Sequence, residues 1–184
     1  MSISALHNLK RITSGGTNRC AHAVTLLLIA SLMTPAQSKD QSEIALTVGG
    51  AVDKPLKLTA AEIAKLPRTT VRAKDHGGNE STFEGVALVE FLKLAGVPLG
   101  EKLRGKAVSN YLTVDAADGY RAVFAIPELD PAFTDHVTLL ADKRDGKPLS
   151  GTEGPLRVVV PGEKRQARWV RQVTSLTILR AGER

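Results

Sequence analysis

Cysteine is almost missing from this chain of 184 residues: Cys20 is the only one. Everything after it lacks a thiol, which excludes a disulfide framework, a thiolate metal centre and a cysteine nucleophile from that part. Aromatic residues make up 4% of the chain, with a single tryptophan, Trp169. Platforms for stacking bases are therefore scarce, and the modest net charge of +6 adds little, so a general nucleic-acid binder is not indicated. The one long apolar run, Ala21 to Met33, is too short to cross a bilayer comfortably. No Gly-x-Ser-x-Gly elbow, P-loop, His-Glu-x-x-His or Gly-x-Gly-x-x-Gly occurs, which removes the commonest hydrolase, nucleotide and metalloprotease templates.

What is present begins with a cationic start, Lys10, Arg11 and Arg19, followed by that apolar run and the small residues of Thr34-Pro35-Ala36. This order predicts a Sec-type signal peptide over residues 1–36 and a periplasmic or secreted protein, with a retained membrane anchor as the competing reading. Cys20 precedes the apolar run, so it is not placed as a lipid-bearing cysteine. A polar leader over 37–43 and one domain over 44–180 complete the expected organisation. Removing Lys10, Arg11 and Arg19 lowers the formal charge from +6 to +3, so local clustering of charge matters more than the total.

Within the domain, Ile44 to Val48 alternates as a strand, and Thr59-Ala60-Ala61-Glu62 is a capping-box pattern opening a short helix. Thr69 to Ala73 reads as a strand and Lys74 to Ser81 as a polar loop. Leu88, Phe91, Leu92 and Ala95 fall on one helical face, predicting a helix over Val86 to Ala95 with Gly96 as terminator. Strands are expected at Tyr111 to Val114 and Tyr120 to Phe124 around the turn pair Asp118-Gly119, then at Val137 to Ala141, at Leu156 to Val160 and within Val173 to Leu179. Many short strands with two or three helices predict an α+β domain with mixed sheets.

The most informative stretch is Gly154 to Val173. An apolar strand runs into Pro161-Gly162, and Arg157, Lys164, Arg165, Arg168 and Arg171 crowd around Trp169. Guanidinium forks and free loop amides favour phosphate-like anions. A solvated basic turn with one aromatic packing anchor is the alternative. Trp169 itself is expected to be a core residue whose indole N–H finds a backbone carbonyl.

Five motifs stand in a particular order: Phe83-Glu84-Gly85-Val86-Ala87-Leu88 with Ala95-Gly96-Val97; Asp118-Gly119-Tyr120; Asp145-Gly146-Lys147-Pro148-Leu149; Gly154-Pro155-Leu156-Arg157-Val158-Val159-Val160-Pro161; and Arg168-Trp169-Val170. Together they resemble the oxidoreductase molybdopterin-binding domain of the sulfite oxidase family, in its small single-domain bacterial form. The resemblance implies a mixed α/β fold around a molybdenum–pterin cofactor and redox chemistry on a small oxyanion or sulfoxide-like substrate. It places the anion-facing positions at Arg157, Lys164, Arg165 and Arg168, with Asp118, Gly119 and Tyr120 on a loop lining the same cleft.

The resemblance also implies a metal-binding cysteine within Val71 to Gly78, near Ala73, and none stands there. A methyl group cannot replace a soft thiolate. His76 and Asp75 are the only nearby substitutes, neither has a second ligand close in sequence, and His136 is isolated, so no metal site is assigned. Glu80, Glu84 and Asp75 lie near one another in sequence, a weak candidate for an acid–base pair. No catalytic residue is assigned. Two function classes stay open: a molybdopterin-dependent oxidoreductase that holds its cofactor without thiolate, or a cofactor-free binding module for a small anionic ligand or a partner protein. The missing thiolate and the Sec-like leader favour the second, with a redox protein as the expected partner class and neither nucleic acid nor, after cleavage, membrane.

Overall fold

The computed structural model describes residues 43–75 and 77–182. The expected signal peptide over 1–36, nearly all of the leader, and His76 lie outside them.

Five strands form the first sheet. β1 (Ile44–Gly50) pairs antiparallel with β2 (Leu56–Thr59) and parallel with the last strand, β10 (Val173–Arg180). β10 then pairs antiparallel with β5 (Asn110–Ala116), and β5 with β6 (Arg121–Ala125). The alternation seen in the sequence sets which face is buried. Leu46, Val48, Leu112, Val114, Phe124, Leu176 and Ile178 all point into the core.

The second sheet runs β3 (Arg68–Lys74), β4 (Glu80–Ala87), β7 (Leu139–Arg144), β8 (Lys147–Pro148), all antiparallel, and β9 (Arg157–Val159) also pairs with β7. Among the described residues two short α-helices, α1 (Ala60–Ile63) and α2 (Leu88–Leu94), and several 3-10 turns accompany the sheets. Buried residues of both sheets and α2 form one cluster.

The capping box at Thr59 closes with both arms: the Glu62 amide donates to Thr59 Oγ1 at 3.2 Å, and the Thr59 amide donates to Glu62 Oε2 at 2.8 Å. The second helix departs from expectation, starting at Leu88 instead of Val86. Val86 and Ala87 are held in β4 by pairing with Leu140 and Leu139, and the Leu88 amide donates to Thr138 O at 2.9 Å. Sheet pairing thus overrides helical periodicity for two residues. β4 itself was hidden, because its first half reads as polar loop. Gly85 marks a register shift between β4 and β7, where a Cβ would sit 2.0 Å from Leu140 O; only glycine allows so close a backbone approach. At the other end of α2, Gly96 adopts φ +77° and terminates the helix as expected.

Candidate functional site

β9 carries the site out of the core. All three of its residues are buried, including the cation Arg157, whose side chain is 5% exposed. A buried guanidinium needs compensation. Arg157 Nη1 donates to Glu153, four residues earlier, and its guanidinium carbon lies 5.3 Å from the centre of the Trp169 ring. Burial lowers the Arg157 pKa from its ordinary value, Glu153 opposes that, and nearby Arg171 and Arg144 add to it. Trp169 is a core residue: it is 5% exposed, its indole N–H donates to Val160 O at 3.1 Å, and it meets Phe83 edge-on at 5.8 Å.

Past Val160 the chain turns at Gly162, which adopts φ +82°, and forms a loop with a short 3-10 turn over Gln166–Arg168. Contacts bind this loop to the turn before β6, to β6 itself and to the 3-10 turn over Ile126–Leu129 after it. The Tyr120 hydroxyl donates to Ala167 O at 2.6 Å. Arg168 donates to Glu163 at 2.7 Å and to both oxygens of Glu128 at 2.9 and 3.0 Å, with its guanidinium 4.6 Å from the centre of the Phe124 ring. Burial works against the Arg168 charge, but its bonds to Glu128 and Glu163 outweigh that and raise its pKa. On the opposite side, Gln166 Nε2 donates to Lys74 O at the end of β3.

Between the loop, the end of β3 and the β5–β6 turn lies an open cleft of about 830 Å³. Its cations are Lys74, Arg157, Lys164, Arg165 and Arg171, and its carboxylates are Asp75, Asp118, Glu153 and Glu163. Three of those carboxylates are committed to arginines: Asp75 to Arg144 at 2.7 Å, Glu153 to Arg157, and Glu163 to Arg168 at 2.6 Å. The Arg144 bond, aided by the amides of Asn79 and Gly77, holds the Asp75 carboxyl below its ordinary pKa. Asp118 Oδ1 accepts the Tyr120 amide at 2.9 Å. By contrast, Lys74, Lys164, Arg165 and Arg171 are exposed, and none forms an ion pair with a described residue.

Of the residues singled out from sequence, Arg157, Lys164, Arg165, Asp118 and Tyr120 line this cleft. Gly119 and Arg168 do not. Gly119 supplies the positive φ of the turn, +85°, and the Arg168 guanidinium is spent on Glu128 and Glu163. Lys74, Glu153, Glu163 and Gln166 were not singled out. For Glu153 a signal existed, since it stands four residues before Arg157 and a buried cation calls for a counterion. Glu80 and Glu84 lie on β4 outside the lining, whereas Asp75 is in it, so no acid–base pair assembles there.

The donor set does not fit a thiolate-held molybdenum. Ala73, where the metal-binding cysteine was expected, is buried in β3 opposite Ser81. No group of three or more His, Cys, Asp or Glu side chains capable of holding a metal exists among the described residues. Asp75, the remaining substitute within those residues, is already bonded to Arg144. The anion end of such a cofactor is a different matter, because four cations without an ion-pair partner among the described residues line the same space.

Comparison with known proteins gives two findings. A family profile described as oxidoreductase molybdopterin binding domain matches residues 32–183, a span that leaves out Cys20. Among solved structures, the chain is similar to the sulfane dehydrogenase SoxCD from Paracoccus pantotrophus, with a TM-score of 0.60 and 23% identity. That match covers 79% of this chain and 41% of the other, so the chain spans less than half of the SoxCD chain. At such identity the likeness speaks for the fold, a sulfite oxidase-type arrangement of mixed sheets with few short helices. No curated protein matches the chain.

Proposed function

The chain belongs to the oxidoreductase molybdopterin-binding domain family, and from that premise we propose that it is an exported binding module whose cleft captures a small anionic ligand without a molybdenum held by protein sulfur. The single observation carrying this reading is the set of four exposed cations, Lys74, Lys164, Arg165 and Arg171, gathered at one cleft without carboxylate partners among the described residues. Like charges brought together repel, and a multivalent anion relieves that repulsion while using the fixed donors of the loop. Arg157 at the floor adds a cation that burial and Trp169 hold in one orientation. Tyr120, half-exposed at the rim, supplies an aromatic edge beside the basic loop.

The oxidoreductase reading draws on the family itself. A pterin carrying a phosphate would be held by Lys164, Arg165 and Arg171 at its anionic end and, when bound with its metal, would supply the redox chemistry. The chain offers no thiolate for that metal, so no redox step is derived. Export rests on the N-terminal pattern of residues 1–36 and fits a ligand met outside the cytoplasm.

Titration calorimetry with pyrophosphate tests the binding module. The expected result is saturable binding that weakens as salt rises and falls about tenfold or more in Lys164→Ala plus Arg165→Ala, the range for losing one or two charge-assisted hydrogen bonds. Absence of binding at low salt, or equal binding by the double variant, would remove the reading.

A further inference from the structure

An edge strand presents backbone N–H and C=O groups with which any extended chain can pair. Most edges of this domain are closed. On β6, Arg168 Nη1 donates to Val123 O at 3.4 Å, and the Ala125 amide donates to Glu128 Oε1 at 2.7 Å. β9 is covered by the segment after the basic loop, where the Val158 amide donates to Val170 O at 2.8 Å. β2 has only four residues and β8 only two. β3 is different, with seven residues at the end of the second sheet. Among the described residues its backbone bonds to β4, and beyond that only Lys74 O is taken, by Gln166 Nε2.

Two contacts fix which backbone groups face outwards, because alternate residues of a strand turn their N–H and C=O to opposite edges. The Asp75 amide donates to Asn79 O in the hairpin, and the same bonded pairing continues through Ala73–Ser81 and Val71–Phe83. Lys74 O, of the other set, points away from β4 to Gln166. The open edge is therefore formed by Arg68, Thr70 and Arg72, all three exposed. Arg68 is held by Asp142 at 2.7 Å, whereas Arg72 and Lys74 form no ion pair with a described residue. Val71 packs against the core on the other face.

A second copy fits this edge poorly. Antiparallel pairing of two β3 strands about Thr70 sets Arg72 opposite Arg68, and pairing about Val71 sets Lys74 opposite Arg68. Pairing about Arg72 sets that residue against itself, and like charges directly opposite destabilise a sheet. We propose that β3 is a docking edge for an extended segment of a partner protein that carries carboxylates at alternate positions and adds a strand to the second sheet. The carboxylates meet Arg72 and Lys74, about 7 Å apart along the strand. Apolar residues between them continue the inner face beside Val71. Gln166, at Lys74 O, marks where the added strand ends.

The probe is a dye-labelled octapeptide alternating glutamate and valine, capped at both ends and titrated with the full chain by fluorescence anisotropy. Saturable binding is expected, with the lysine–valine counterpart weaker by about tenfold or more. Thr70→Pro is expected to abolish it, because the ring blocks the open edge while the ladder to β4 loses no donor. Arg72→Glu is expected to weaken it by about fivefold. N-methylation of the glutamate amides blocks one edge of the peptide, and that of the valine amides the other. One set is expected to abolish binding and the other to leave it, so equal effects would overturn the inference even if Thr70→Pro failed to fold. Displacement of the peptide by saturating pyrophosphate would place it in the cleft and equally refute the docking edge. Sedimentation showing a dimer that Thr70→Pro dissolves would give the edge to a second copy instead. Absence of peptide binding would remove the proposal and leave the anion-binding reading of the cleft untouched.

Discussion

Glu153→Ala removes the counterion of a cation that the fold has buried. The Arg157 side chain is 5% exposed and that of Glu153 22%, so the pair lies between a surface bridge and a fully enclosed one. Breaking a buried pair by deleting one partner costs about 3–5 kcal/mol. The partial exposure of Glu153 puts this case near the lower end, about 3 kcal/mol. Besides Glu153, the described charges that act on Arg157 are Arg144 and Arg171, which carry the same sign and already depress its pKa. Arg144 also loses a 3.7 Å contact with Glu153 but keeps Asp75. With a urea slope of about 1.5–2 kcal/mol/M for a domain of this size, the unfolding midpoint should fall by roughly 1.5–2 M. Phosphate should recover more stability in the variant than in the parent, since an anion in the cleft substitutes for the missing carboxylate. A midpoint shift below about 0.5 M, with no extra recovery by phosphate, would refute the view that Arg157 is a buried charge dependent on Glu153.

Other predictions follow from the same geometry. Gly85→Ala places a Cβ 2.0 Å from Leu140 O and 2.6 Å from Ala141 Cα, so the β4–β7 pairing must shift; a loss of about 3 kcal/mol or more, or failure to fold, is expected by thermal melting. Thr59→Ala deletes the side-chain half of the capping box and should cost about 1 kcal/mol in denaturant titrations. The folded-state pKa of Asp75 lies below its unfolded value, so its contribution is fully present above about pH 4 and is lost as pH falls through the depressed folded value. Melting curves between pH 5 and pH 2 should therefore show a shallower acid-side decline in Asp75→Asn than in the parent, and identical slopes would contradict the Asp75–Arg144 pairing.

Much of the fold was readable because its strands bury one face and so alternate. Ile44 to Val48, Tyr111 to Val114 and Val173 to Leu179 all fall within observed strands, and the turn pair Asp118-Gly119 sits where its composition demands. β4 was the main omission. Its register is set by β3, its neighbour across a short loop, and by β7, far away in sequence, and its first residues are polar and read as the end of that loop. Of the site, the cationic loop was visible as composition, yet composition cannot say which cations are free. Arg168 and Arg165 look equivalent in a string of letters. Only the fold reveals that Glu128, on the turn after β6, meets Arg168 and leaves Arg165 facing the cleft. Lys74 enters the site for the same reason, through a contact between Gln166 and the far end of β3 that no local pattern announces.

The most direct measurement is the molybdenum content of the protein after production in a host that makes the cofactor. Far less than one metal atom per chain is expected, in a preparation that still binds pyrophosphate. One molybdenum per chain, retained through purification, would contradict the proposed function.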